Sequence, residues 1–304
     1  MNKIHKVIAV TLNWNNYPDT NDCIRSISNS TYPVHKIIVV DNGSTNDSMQ
    51  KLEMMYHDNS IMHFKYNKDN LGFACGINQG IRAAYDAGAD YIFIINNDAL
   101  VNSDCLERLV NVIQETPIIG IVGPRIFYHD HPEIVWQGGG FFNYFTGGNV
   151  VPEKNKKPYK YTKDSVGSSF LTGCIMLIRR EVIDEVGYFD QDIYFYEEDV
   201  DFCLRNIRHG FKLRYVPNAV SWHKVDGIKI SEFAFYHRAK SRIIVLRKNF
   251  SRSYYLYALA LHWILFTPYK IYQSFKSAHP MKVIISWFCG SISGIRCKLL
   301  NSRL

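Results

Sequence analysis

Short apolar runs alternate with amphipathic stretches along the first hundred positions. Lys6 to Leu12 and Lys36 to Val40 are rich in β-branched residues, which predicts strands buried on both faces. Ile61 to Tyr66 predicts a third strand and Tyr91 to Ile95 a fourth. Between them, Thr20 to Ser28 places Cys23, Ile24 and Ile27 on one helical face. Asp47 to Tyr56 and the stretch through Ile77, Ile81 and Ala84 also read as helices. Strands and helices that alternate in this way build βαβ units and a mainly parallel α/β sheet. Right-handed crossovers then gather the strand C-termini on one edge.

The pattern loosens after position 105. Leu106 to Gln114 predicts an amphipathic helix and Ile118 to Ile126 a strand. A Gly- and aromatic-rich segment with Trp136 runs to about 150, and the polar, basic Pro152 to Lys163 predicts a mobile loop. Cys174 to Ile178 is a further strand, and Glu181 to Val186 a short helix closed by Gly187. Asp199 to His209 fits a helix with Val200, Cys203, Leu204 and Ile207 inward and Gly210 as its stop. Leu213 to Val216 is a strand, and His237 to Phe250 a basic helix. Tyr254 to Phe266 is apolar but short of the about 20 residues that a spanning helix needs. Met281 to Ile295 is apolar with one lysine and three serines.

Charge divides the chain. Residues 1–225 hold 22 Lys and Arg against 26 Asp and Glu, whereas residues 226–304 hold 13 against two. That asymmetry predicts a boundary near 226 and an anionic partner for the tail. Basic residues flanking Trp and Tyr suit helices lying in a membrane interface on the cytoplasmic face; a helical packing or homodimer surface is the alternative. No RNA- or DNA-binding module accompanies the charge, so nucleic acid is not expected as a partner. The seven cysteines include no C-x-x-C pair, which argues for a reducing compartment and against a zinc site. The N-terminus lacks the apolar core and cleavage site of a signal peptide and reads as the first strand.

Candidate chemistry sits where the strands end. Asn13, Asp41 and Asp98 follow three predicted strands, where open α/β sheets bind ligands. Asn96-Asn97-Asp98 offers one carboxylate and two amides, a weak, open site for a hard divalent cation; the alternative is a polar cap that satisfies turn backbone. Glu197, Glu198, Asp199 and Asp201 crowd one helix start. The helix dipole favours acids there, but four exceed what capping needs, and crowding perturbs pKa values. His223 follows a strand and reads either as structural or as a metal ligand. No G-x-G-x-x-G follows the first strand and no P-loop is present.

Six pieces in order, TLNWNN (11–16), DNGSTNDS (41–48), NLGFACGINQGI (70–81), INNDA (95–99), LTGCIMLIRREVIDEVGYFD (171–190) and YEEDVDFCLRNIRHGFKLRYVPNAVSWH (196–223), resemble the inverting glycosyltransferases of family 2, and most closely their rhamnosyltransferase-like branch. The resemblance covers about residues 6–250. It implies a GT-A fold over 1–225, with a nucleotide-binding half to about 104 and an acceptor half from about 105, followed by a basic helical extension over 226–304. It implies that Asp41 hydrogen-bonds a pyrimidine, that Thr11, Asn13 and Asn15 form the first nucleotide-binding loop, and that Asn70, Gly72 and Asn97 line the nucleotide. Asp98 resembles the metal-binding Asp of the family's Asp-x-Asp motif, with Asn where acid is common, and His223 a second ligand for Mn²⁺ or Mg²⁺. Asp199 resembles the catalytic base, paired with Glu198. Trp136, Thr172 and Gly173 fall in the sugar and acceptor region.

The implied reaction moves a sugar from a nucleotide diphosphate, deoxythymidine-diphosphate rhamnose or a uridine-diphosphate sugar, to a lipid-linked or polymeric cell-surface glycan. The implied place is the cytoplasmic face of the cell membrane, peripherally bound. Two alternatives remain open. A sugar-1-phosphate nucleotidyltransferase normally carries a Gly-rich, basic loop after the first strand, and TLNWNN has neither glycine nor Lys or Arg. A non-catalytic nucleotide-sugar-binding protein would not need the acid at 199.

Overall fold

The computed structural model describes residues 4–161, 164–225 and 230–299. Its spine is a sheet built in the expected alternation: β1 (Val7–Asn13), α1 (Tyr17–Ser28), β2 (Val34–Asn42), α2 (Ser48–Tyr56), β3 (Met62–Asn67), α3 (Gly72–Asp86) and β4 (Tyr91–Ile95). The second half adds β5 (Ala99–Val101), α4 (Cys105–Gln114), β6 (Ile119–Tyr128), β7 (Val135–Gln137), β8 (Phe141–Asn143), β9 (Gly148–Val150), β10 (Val166–Ser168), β11 (Ile175–Arg179), α5 (Arg180–Glu185), α6 (Glu198–Arg208) and β12 (Lys212–His223). The strand order is β10-β12-β6-β11-β4-β1-β2-β3, with β5 on β12 and β7 on β6.

β1 to β4 pair in parallel, because each returns through a helix. Antiparallel pairings enter with the second half: β11 runs antiparallel to both β4 and β6, β10 and β5 to β12, and β7 to β6. The reversal of β11 brings Thr172 to Cys174, at its start, to the edge where β4 ends. The Asn96 N–H donates to the Cys174 carbonyl at 2.8 Å. Apolar side chains on both faces of β1, β2 and β4 fill two cores, one under α3 and α6 and one under α1 and α4. Burial on both faces is why these strands read as unbroken apolar runs.

The segment expected to be a mobile loop, 152–163, is anchored over its described part; 162 and 163 lie outside the described residues. Glu153 is 2 % exposed and takes hydrogen bonds from Arg125 (3.0 Å), the Tyr215 hydroxyl (2.5 Å) and the Tyr159 N–H (2.7 Å). A polar composition hid one buried carboxylate with three donors.

The tail continues as α7 (Glu232–Asn249), α8 (Arg252–Leu261), a π-helical turn at His262–Phe266, α9 (Thr267–Ser274) and α10 (Pro280–Arg296). α7 is not an appendage: its Ile244, Val245 and Leu246 lie in the same core as Ile92 and Met176. Asn249 donates to Asp201 on α6 at 2.7 Å. Among the described residues, no helix is long and apolar enough to cross a membrane.

Candidate active site

Asn13 and Asp41 are register partners at the ends of β1 and β2. Asn13 is fully buried and donates from Nδ2 to Asp41 Oδ1 (3.0 Å) and Ser48 Oγ (3.0 Å); its Oδ1 accepts from the Thr20 hydroxyl (2.9 Å). Its amide is engaged inside the protein and orients Asp41. Thr11 is likewise 0 % exposed, within β1. Asp41 is 5 % exposed and accepts from Asn13, the Ser44 hydroxyl (2.5 Å) and the Ser44 N–H (3.1 Å). A carboxylate has about four acceptor positions, so one remains for a ligand N–H.

Asn15 takes a left-handed φ of 56° and clips this loop to the next: its Oδ1 accepts from the Thr45 N–H (2.8 Å), and Ser44 Oγ accepts from its own N–H (2.8 Å). Asn70 accepts from the Gly72 N–H (2.9 Å) and from Asn42 Nδ2 (3.1 Å). Gly72 has φ of 78°, and a Cβ there would stand 2.6 Å from the Tyr194 carbonyl oxygen, so only glycine fits. Buried Asn42 is a hub that sequence reasoning missed, binding Asn67, Asn70, Leu71 and Gly72. Its signal was the unbroken polar run Asp41-Asn42-Gly43-Ser44.

On the other side of β1, Asn97 donates to the Thr20 hydroxyl (2.9 Å), which links it through Asn13 to Asp41. Asp98 faces His223 because β5 pairs with β12 in a register that sets Ala99 opposite His223. His223 Nε2 lies 2.9 Å from Asp98 Oδ1. The imidazole is 7 % exposed and packs against Trp136 at 4.2 Å between ring centroids; its Nδ1 has no partner. Trp136 thus backs the Asp98–His223 pair. Lys224, also missed, ties this corner to α1 through Asp19 (2.9 Å) and Asp22 (2.6 Å).

Among the described residues no three His, Cys, Asp or Glu side chains gather around one point. Asp98 and His223 still fit a divalent cation that completes its shell from substrate. Two ligands at right angles on bonds of about 2.1 Å stand about 3 Å apart, close to the 2.9 Å between Oδ1 and Nε2. Asp98 is one-third exposed, which leaves room for phosphate oxygens and water.

The acids of α6 divide by environment. Asp201 is 1 % exposed and structural, accepting from Arg205 (2.7 Å) and Asn249 (2.7 Å). Asp199 accepts from the Gly173 N–H (3.0 Å) and the Val200 N–H (2.8 Å), with the Thr172 hydroxyl beside it. Burial, with help from Glu197, pushes its carboxyl up to about 6 against these hydrogen bonds. Glu198 is pushed well above the usual carboxylate range by burial and by Asp199, and its Oε2 is buried without a partner. The N-cap residue, Glu197, makes no side-chain cap bond, whereas Asp199 binds the first-turn Val200 N–H and, beyond the helix, the Gly173 N–H. Tyr196 and Glu197 both hold left-handed backbone, φ 62° and 66°. Each costs on the order of 1–3 kcal/mol, and such strain clusters at functional sites.

Thr172–Cys174 joins the two halves. Gly173 holds Asp199, while Cys174 holds the end of β4, and the fields of both Asp98 and Asp199 act on the Cys174 thiol. The sheet order, with β11 inverted between the parallel strands of the two halves, is that of a GT-A fold.

Residues 7–187 match the model of glycosyl transferase family 2, and the chain belongs to that family. Rhamnosyltransferases are among its relatives. It is 26 % identical over 265 residues to the N-acetylglucosaminyl-diphospho-decaprenol L-rhamnosyltransferase of Mycobacterium tuberculosis, covering 79 % of this chain and 83 % of that protein. It is 24 % identical to the dTDP-rhamnosyl transferase RfbF of Shigella flexneri (70 % and 71 % covered). The low-salt glycan biosynthesis hexosyltransferase Agl10 of Haloferax volcanii is 24 % identical over 78 % of this chain and 75 % of its own. In structure it resembles a mannosyltransferase of Pyrobaculum calidifontis, solved with GDP-mannose and Mn²⁺, with TM-score 0.61, 13 % identity and 97 % and 88 % of the chains covered.

Proposed function

We propose that this glycosyltransferase inverts a sugar as it moves it from a nucleotide diphosphate to a hydroxyl of a lipid-linked or polymeric cell-surface glycan. The observation that carries the reading is Thr172–Cys174, which bonds Asp199 through the Gly173 N–H and, through the Cys174 carbonyl, Asn96 two residues before Asp98. A rhamnose donor on deoxythymidine diphosphate is favoured by the two rhamnosyltransferase relatives.

Each residue then has a task. Asp41 takes the remaining base N–H, and Asn13, Asn15 and Asn97 fix the loops that shape the nucleotide pocket. Asn70 and Gly72 let the backbone approach the ribose and diphosphate. Asp98 and His223 would hold Mn²⁺ or Mg²⁺, which offsets the charge that grows on the departing diphosphate. Asp199 accepts the proton of the attacking hydroxyl, and its raised pKa makes it a stronger base than an ordinary aspartate. Thr172 and Gly173 hold that carboxylate in place, and Glu198 keeps it in a crowded acid pair. The basic tail rests on the cytoplasmic face of the membrane, where a lipid-linked acceptor is presented.

The test is release of nucleoside diphosphate across a panel of nucleotide sugars, with and without Mn²⁺ or Mg²⁺, in wild type and Asp98→Ala. Metal-dependent turnover of one donor, lost in the variant, is expected. Unchanged turnover by Asp98→Ala would remove the metal assignment.

A further inference from the structure

The tail helices bring cations to the catalytic acids without a matching set of carboxylates. Arg238 and Arg242 stand four residues apart on α7 and share a face. That face is set against the left-handed turn before α6. The Ser241 hydroxyl donates to the Phe195 carbonyl (2.9 Å), and the Arg238 guanidinium lies 4.3 Å from the Tyr196 ring centre. Arg242 is 7 % exposed, lies 3.9 Å over Phe266 and donates from Nη2 to the Thr146 carbonyl (3.0 Å). Its buried Nε has no partner. Lys270 reaches in from α9, 5.4 Å from the Phe235 ring centre, with one hydrogen bond to Gln273 (2.7 Å). Lys154 approaches from the segment after β9 and feels Arg238, Asp199 and Glu197.

Among the described residues none of these four cations forms an ion pair. Burial and the neighbouring Arg238 lower the Lys270 ammonium to about 8, and burial also lowers Lys154 and Arg242. Crowded, poorly hydrated cations are costly unless an anion offsets them. Two guanidinium groups and two ammonium groups suit phosphate oxygens. α8, the π-helical turn and α9 expose Leu256, Tyr257, Ile264, Leu265 and Tyr269 to solvent.

We propose that Arg238, Arg242, Lys270 and Lys154 form a second anion site, which seats the phosphate or diphosphate of a prenyl-lipid-linked acceptor beside Asp199. The inference rests on Asp199 being the base, and it separates this anion from the donor diphosphate at Asp98. The phosphates would sit on the cations, the lipid along the exposed apolar side chains, and the attached sugar would reach Asp199.

The test titrates the full chain with farnesyl diphosphate by calorimetry, with farnesol as the uncharged control. Variants are Arg238→Gln with Lys270→Gln and, separately, Lys154→Gln; buried Arg242 is left intact. Wild type is expected to bind the diphosphate and not farnesol. The double variant should lose at least about tenfold, two weakened charge-assisted contacts being worth more than one factor of ten, and Lys154→Gln should lose less. Affinity for a nucleoside diphosphate with Mn²⁺ should be unchanged and should not compete. Three results would overturn the proposal: equal affinity in wild type and variants; displacement of farnesyl diphosphate by the nucleotide, which would give the cluster to the donor; or a loss confined to phosphatidylglycerol vesicles, which would make it a headgroup contact. The readout is binding alone, so failure of the transferase reading would appear in the turnover assay and not here.

Discussion

Asp199 carries the sharpest consequence of residue-scale chemistry. A base works unprotonated, so turnover should fall as pH drops through about 6; an aspartate at its ordinary 3.8 would leave the rate flat over that range. The kcat–pH profile measures this. The sign for stability is opposite. A folded-state pKa above the unfolded value means that the favourable contribution is present below 3.8 and is lost as pH rises to about 6. Removing the charge with Asp199→Asn should therefore raise the unfolding temperature at neutral pH, whereas a helix cap would lose stability. Sequence picked out Asp98, His223 and Asp199 because carboxylates after strands and at crowded helix starts are visible as letters. It did not show that Thr11 and Asn13 are fully buried, because side-chain direction at a strand end depends on pleat and neighbours.

At the scale of elements, the parallel half was legible in full, since strands buried on both faces announce themselves as apolar runs. The inversion of β11 was not, because strand direction leaves no mark in composition. The join of α10 to α7 was also hidden. Gly290 and Gly294 let the two backbones meet: a Cβ at Gly290 would collide with the Tyr236 carbonyl oxygen, and one at Gly294 would stand 2.7 Å from that of Lys240. The Tyr236 hydroxyl donates to Ser293 (3.0 Å), and Arg247 caps the end of α10 through the Gly294 carbonyl (2.8 Å). Gly290→Val should force these helices apart at a cost of about 1–3 kcal/mol, the usual range for overpacking. Thermal unfolding and proteolysis between α9 and α10 would show it; an unchanged melting temperature would mean that the helices adjust freely.

Across the whole molecule, an acidic catalytic sheet carries a basic helical tail whose first helix enters the shared core. The charge contrast was plain in the sequence, but the placement of α7 against α6 was not, because that contact joins residues far apart in the chain, such as Asp201 and Asn249. With 13 Lys and Arg against two acids over 226–304, the full chain should sediment with phosphatidylglycerol vesicles, more weakly at high salt, and not with phosphatidylcholine vesicles. Sedimentation with neither would favour a dimer surface over a membrane contact. The central claim is that one acid holds the donor side and another, held by Gly173, takes the acceptor proton. Its most direct test is Asp199→Asn, assayed for sugar transfer and, in parallel, for donor affinity by calorimetry. Transfer should fall by about 10²–10⁴, the usual contribution of a positioned general base, with donor affinity unchanged; transfer near the wild-type rate would contradict the account.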